Sequence, residues 1–139
     1  QQIMIEQYIP GRDLTVAILD ADPLPVVEII PKHQVYDYTC KYTRGMSQYV
    51  VPAQIPPKIE QHIKSQALRA YETLNCRGYG RVDFRLSAEG RLFCLEVNTL
   101  PGMTQTSLVP KAAKAAGIQL PELVDRIVKL ALQRQRQLP

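Results

Sequence analysis

Apolar and polar residues alternate along two neighbouring stretches of the chain. Residues 80–86 read Gly-Arg-Val-Asp-Phe-Arg-Leu, and residues 92–98 read Leu-Phe-Cys-Leu-Glu-Val-Asn. A period of two predicts β-strands, whose successive side chains point to opposite faces. Val82, Phe84 and Leu86 share one face of the first strand, and Arg81, Asp83 and Arg85 the other. In the second, Phe93, Leu95 and Val97 oppose Cys94, Glu96 and Asn98. Ser87-Ala88-Glu89-Gly90 between them has the composition of a hairpin turn. With an even loop, both apolar rows face the core, and Arg81, Asp83, Glu96 and Asn98 gather on the opposite face.

The remaining pattern predicts an α+β domain. Residues 3–9 and 14–19 read as strands separated by Pro10-Gly11, and Asp20-Ala21-Asp22-Pro23 turns the chain into a third strand at 24–30. Residues 31–48 show no period. A loop beyond ~15 residues is unusual and often serves as a lid, and this one carries Tyr36, Tyr38, Lys41, Tyr42 and Arg44, which suits closure over a charged ligand. The plainer alternative is a solvated surface loop. After a short strand near 49–51, Pro56-Pro57 opens a helix whose apolar stripe is Ile59, Ile63, Ala67, Ala70, Tyr71 and Leu74. The hairpin follows, then a helix near 107–116. A last helix from about Pro121 buries Leu123, Val124, Ile127, Val128, Leu130 and Ala131. There is no internal repeat.

Two carboxylates and an amide oxygen on one face are hard ligands of the kind Mg²⁺ takes, commonly alongside substrate phosphates. An arginine beside them can hold a phosphate oxygen through its planar fork. Any half-buried hairpin has a polar face, and its charges are usually only solvated, so the two strands alone leave both readings open. The next residues shift the balance. Pro101-Gly102 ends the strand, Thr104, Thr106 and Ser107 offer helix-capping hydroxyls, Pro110 suits a first turn, and Gly117 suits the residue after a helix. A row of metal ligands thus leads through a glycine loop to a helix start, whose free N–H groups attract a carboxylate or phosphate.

Composition narrows the field further. A chain of 139 residues holds a single core and is near the size of one domain. Its net charge of +4 comes from basic residues that are dispersed apart from the Arg134/Arg136 tail, which gives a nucleic-acid partner little support but suits a polyanionic nucleotide. Cys40, Cys76 and Cys94 lack metal-motif spacing and are odd in number, which predicts a reducing compartment. His33 and His62 have no metal partner at ligand spacing, and Lys111 and Lys114 read as solvated helix charges. No signal peptide or membrane-length apolar run is present, so no membrane is expected as a partner. The sequence starts at Gln1 and moves at once into a strand-like run, so it is read as a piece cut from a longer protein.

Gly78-Tyr79-Gly80-Arg81-Val82-Asp83-Phe84, the run from Glu96 to Thr104, and Thr106-Ser107-Leu108-Val109-Pro110 closely resemble the C-terminal part of bacterial D-alanine–D-alanine ligases, of the ATP-grasp superfamily. The likeness extends upstream to the run from Glu6 to Val16 and to Tyr36-Asp37-Tyr38 with Lys41-Tyr42, and so spans essentially the whole chain in order. The resemblance implies one ATP-grasp C-terminal domain over 1–139, mainly antiparallel sheet with helices packed on it, in which 1–9 is the hinge strand towards a missing middle domain. It implies ATP and two Mg²⁺ ions (or Mn²⁺ in their place) as cofactors, and D-alanine as substrate. It further implies the enzyme's own N-terminal and middle domains as partners, a homodimer at full length, a cytoplasmic location and a role in peptidoglycan precursor synthesis.

The same resemblance implies individual roles. Asp83, Glu96 and Asn98 match magnesium ligands, with Glu96 bridging two ions. Arg81 matches the arginine that steadies the transferred phosphoryl group and the oxyanion, and Gly102 supplies an N–H to that oxyanion. Ser107 and Leu108 match positions at the second D-alanine's carboxylate. Glu6, Gln7 and Ile9 match the adenine edge, Tyr8 the ring that packs on it, and Asp13 the carboxylate on the ribose, where many relatives carry Glu. Lys41 matches a lysine on the ATP phosphates and Tyr42 a tyrosine over the substrate. Apart from the resemblance, Arg85 shares the ligand face one pleat beyond Asp83; it is not assigned a functional role, and a partner standing behind the ligand row is the one part its position allows. Two alternatives stay open: a catalytically silent nucleotide- or magnesium-binding fragment, and an ATP-grasp ligase with another acceptor.

Overall fold

The computed structural model describes residues 2–31 and 47–135, so the expectations for Lys41 and Tyr42 lie outside the described residues. Its elements run β1 (Arg12–Leu19), β2 (Asp22–Pro23), β3 (Val27–Pro31), β4 (Ser47–Val50), α1 (Pro57–Thr73), β5 (Tyr79–Leu86), β6 (Leu92–Asn98), α2 (Leu108–Ala115) and α3 (Leu120–Gln135). The strands form one sheet of order β4-β3-β1-β5-β6, with β2 on the end of β1 and every pairing antiparallel. The expected α+β architecture is what the chain adopts.

Burial explains why β1 is central. Residues 14–19 are all buried, and a strand covered on both faces reads as a nearly continuous apolar run. Leu14, Val16 and Ile18 join Val82, Phe84 and Leu86 against Ile63, Ala67 and Tyr71 of α1. On the other face Ala17 and Leu19 join Val27 and Ile29 against Leu108, Val109, Ala112 and Ala113 of α2 and Leu123 of α3. Arg12 ties this framework down by donating to both carboxylate oxygens of Glu28, at 2.6 and 2.7 Å, and to the carbonyl of Gln54 at 3.0 Å. Gly11 lets β1 start hard against the end of β5: its φ is +151°, and a Cβ there would lie 2.1 Å from the Leu86 carbonyl oxygen. At the end of α2, Gly117 donates to the Lys114 carbonyl and Ile118 to that of Ala113, the paired bonds of a helix stop closed by glycine.

Several sequence expectations need correction. Residues 2–10 belong to no strand, and Ile3, Met4 and Ile5 are exposed. A strand requires a ladder partner, and none of the sheet's strands pairs with this segment. The expected strand at 24–30 is shortened to β3 at Val27–Pro31, because Pro25 cannot donate to a ladder, and the two-residue β2 falls within the expected turn instead. Leu74 caps the end of α1 and is exposed. In α3 only Leu123 is fully buried, with Ile127 and Leu130 packed partly against the core, while Val124 and Val128 face outwards. That helix meets its neighbours along a narrow i, i+4, i+7 line instead of a broad face. No helix among the described residues is long and apolar enough to cross a membrane.

Candidate functional site

The polar face of β5 lies on the same side of the sheet as α2 and α3, beyond the area those helices cover. Across the β5–β6 ladder Arg81 stands opposite Asn98, Val82 opposite Val97, and Asp83 opposite Glu96. The gathering of these four polar residues predicted from the alternation is therefore present. The alternation of β6 does not run through, however. A register shift beside Asp83 and Phe84 leaves Leu95 as an extra residue, pairs Cys94 with Phe84 and Phe93 with Arg85, and leaves Leu95 57% exposed. A bulge of this kind restarts the in–out pattern, so Phe93 and Val97 do not share a face as expected.

Asp83 is the hub of the row. Arg81 donates to it twice, Nε to Oδ1 at 2.8 Å and Nη2 to Oδ2 at 2.7 Å. The buried Thr15, on β1, adds its hydroxyl to Oδ1 at 2.6 Å and also reaches the Val82 carbonyl at 3.2 Å. Arg81 Nη2 lies 3.7 Å from Glu96 Oε1, so one guanidinium faces both acids. Arg81 and Asp83 are 13% and 16% exposed, whereas Glu96 is 51% exposed and open to a ligand. Burial opposes ionisation of Asp83, but the hydrogen bonds and charge of Arg81, with the bonds from Thr15 and Glu96, outweigh it and hold the carboxyl below its ordinary range.

The donor chemistry fits a hard divalent cation. Two carboxylates facing each other need a shared positive charge, and Asn98 closes the row with an amide. Its Oδ1 accepts the Leu100 N–H at 3.1 Å, which fixes the side chain at the strand end. No group of three or more His, Cys, Asp or Glu side chains converges among the described residues. An ion here would thus complete its shell with phosphate and water, as Mg²⁺ commonly does.

Past the strand, Pro101 is buried and Gly102 exposed. Ser107 stands at the N-cap of α2, yet its hydroxyl turns back: it accepts the Thr104 N–H at 3.1 Å and lies 2.8 Å from the Thr104 hydroxyl. The first N–H groups of α2 therefore receive no side-chain cap, and Leu108 is buried behind them.

At the other end of β5, Arg85 turns away from the ligand row. It donates to the Ile9 carbonyl at 2.7 Å, to Asp13 Oδ1 at 2.5 Å and to the Tyr8 hydroxyl at 3.0 Å. Glu6, Gln7 and Tyr8 are exposed and Ile9 half-buried. The polar row therefore joins the segment expected to meet the base and ribose to the strand expected to meet the phosphates. Sequence reasoning missed Thr15 and the reach of Arg85; the signal for Thr15 was a single hydroxyl within the apolar run 14–19. A cleft of about 710 Å³ between the ends of α1 and α3 has Leu68, Tyr71, Ile127 and Leu130 in its wall and lies apart from this chemistry.

Residues 1–129 match the family model described as the D-ala D-ala ligase C-terminus. A D-alanine–D-alanine ligase of Syntrophotalea carbinolica is 46% identical over 126 residues, covering 91% of this chain and 41% of that protein. Among solved structures, the D-alanine–D-alanine ligase of Bacillus anthracis complexed with ATP superposes with a TM-score of 0.80 at 36% identity, over 95% of this chain and 43% of the other. VanG, a D-Ala:D-Ser ligase from Enterococcus faecalis, gives 0.73 at 32% identity, over 89% and 37%. The chain spans about two-fifths of the length of the curated relatives it matches.

Proposed function

We propose, from the premise that the chain belongs to the D-ala D-ala ligase C-terminal family, that it is one domain of an ATP-dependent ligase that joins two D-alanines for the peptidoglycan precursor. The observation that carries this reading is the cross-strand row of Arg81, Asp83, Glu96 and Asn98 on one open face of the sheet. The rest of the enzyme, its N-terminal and middle domains, would supply the remaining groups. At full length we expect a cytoplasmic homodimer.

In this scheme ATP phosphorylates the carboxylate of the first D-alanine, giving an acyl phosphate and ADP. The amine of the second attacks the acyl carbon, and the tetrahedral intermediate expels phosphate. Asp83, Glu96 and Asn98 would hold two Mg²⁺ ions, or Mn²⁺, which screen the charge of the transferred phosphoryl group. Arg81 is held by Asp83 at a fixed angle and turns its guanidinium to the phosphoryl oxygens and then to the oxyanion. Gly102 adds a backbone N–H to that oxyanion. Ser107 and Leu108 receive the carboxylate of the second D-alanine at the side-chain-uncapped start of α2. On the nucleotide side Glu6, Gln7 and Ile9 meet the adenine edge, Tyr8 packs on the ring and Asp13 takes the ribose hydroxyls. Lys41 would contact the ATP phosphates and Tyr42 the substrate.

The likeness to a D-Ala:D-Ser ligase leaves acceptor choice as the point to measure. Phosphate release by the full-length enzyme with ATP and Mg²⁺ is expected to be fastest with D-alanine as the second substrate, ahead of D-serine and D-lactate. No release with any of the three would refute the ligase reading and leave a silent nucleotide-binding module. Faster release with D-serine or D-lactate would reassign the acceptor.

A further inference from the structure

One guanidinium, that of Arg85, holds three groups of the nucleotide side at once. Arg85 lies opposite Asp13 in the β1–β5 ladder, as Asp83 lies opposite Thr15 two residues further along the same face. Its Nε donates to the Ile9 carbonyl, Nη1 to Asp13 Oδ1 and Nη2 to the Tyr8 hydroxyl. Its Cζ also lies 5.2 Å from the centroid of the Tyr8 ring. Arg85 and Asp13 are 11% and 13% exposed, so this ion pair is shielded from solvent and less screened than a surface pair. Among the described residues, 2–10 join no ladder of the sheet, so the fork of Arg85 holds Tyr8 and Ile9 where strand pairing does not.

We infer that Arg85 is a positioning residue for the nucleoside, setting the Tyr8 ring, the Ile9 carbonyl and the Asp13 carboxylate at fixed spacing so that base and ribose are received together. The inference rests on the proposed nucleotide site. Asp13 has a shorter reach than a glutamate, and a carboxylate on a short stem can serve a ribose diol only if its place is fixed. Arg85 fixes it through Oδ1 and leaves Oδ2 for the sugar. A lysine keeps the charge but lacks the planar fork that serves three acceptors. An apolar residue leaves Asp13 without its cation and Tyr8 and Ile9 without their anchor.

The test is equilibrium binding of ATP and of 2′-deoxy-ATP to the full-length enzyme with Mg²⁺, together with steady-state kinetics. Arg85→Leu is expected to raise Kd and KM for ATP about tenfold, roughly the worth of one charge-assisted hydrogen bond to the nucleotide, while kcat at saturating ATP falls much less. The preference for ATP over 2′-deoxy-ATP should shrink towards one, because Asp13 is no longer held at the sugar. Arg85→Lys should fall between Arg85→Leu and the parent, and it decides the matter if Arg85→Leu does not fold. Nucleotide affinity and ribose preference equal to the parent in the folded variants would overturn the inference. So would a loss of thermal stability accompanied by no change in the ribose preference. Phosphate release by the parent with D-alanine reports separately on the ligase reading, since ATP affinity can be measured without an acceptor.

Discussion

Thr15 and Asp83 face each other across the β1–β5 ladder, and the threonine hydroxyl donates to the aspartate Oδ1 at 2.6 Å. Thr15 is buried in an otherwise apolar strand end, so this bond both satisfies a hydroxyl within the protein and fixes the acid at the centre of the polar row. The central strand thereby positions a site that stands mostly on its neighbours.

Replacing that hydroxyl with a methyl group tests the relationship. Thr15→Val keeps the shape and leaves Asp83 short of one donor, which is expected to lower the stability of the chain by about 1–2 kcal/mol. Thr15→Ser should retain most of it. Urea unfolding of the three proteins measures the difference, and equal midpoints would show that Asp83 does not depend on β1.

For the full-length enzyme, Glu96→Gln preserves volume and removes one of the two facing charges. We expect kcat to fall at least about a hundredfold, with a much smaller change in ATP affinity, because Glu96 is proposed to act on the charge of phosphoryl transfer and not on the nucleoside. Turnover equal to the parent would remove the proposed metal-bridging role.

The hydroxyl of Tyr71 is buried and has no hydrogen-bond partner among the described residues. Burial is the main cause that pushes its pKa up to about 12 from 10. The folded state therefore resists ionisation where the unfolded chain has begun to lose its proton. Stability from this group is fully present below pH 10 and is lost as the pH rises towards 12. Tyr71→Phe should flatten that part of the profile and raise stability at neutral pH by about 1 kcal/mol. Thermal melts between pH 7 and pH 12 would show it, and an unaltered slope would assign the alkaline loss to other groups.

Gly11→Ala is expected to cost at least about 2 kcal/mol. The new methyl would meet the Leu86 carbonyl oxygen and carbon, both backbone atoms, and φ there is +151°. Urea unfolding that matched the parent would mean that β1 and β5 can separate at their ends without penalty.

The isolated chain should bind nucleotide weakly and release little phosphate with D-alanine, ATP and Mg²⁺, because it corresponds to about two-fifths of its relatives. Phosphate release near the full-length rate would show that the proposed site is complete within these residues.

The sequence made β5 legible because Val82, Phe84 and Leu86 alternate without a break and all three are buried. The four-residue row came out as expected only through the bulge: continuing the Phe84–Cys94 register would set Glu96 opposite Val82, and the extra Leu95 returns it to Asp83. The sequence was less informative on β6, where an inserted Leu95 leaves the composition of a strand intact while changing what each residue faces. The segment 3–9 misled because apolar content predicts burial only where a partner exists. Arg85 was placed on the correct face, but the sequence carried no sign that it reaches back to Tyr8 and Ile9, contacts 77 and 76 residues away. Long-range pairing of this kind depends on strand order, which periodicity does not encode.

The extra residue in β6 has one more consequence, for solubility. Among the described residues β6 is the last strand of the sheet, and a regular outer strand offers its free amides and carbonyls as a template for another molecule. An irregular one twists and breaks the repeat that a foreign strand would have to match. The border that carries Glu96 is thus a poorer template for a second strand than a regular edge would be.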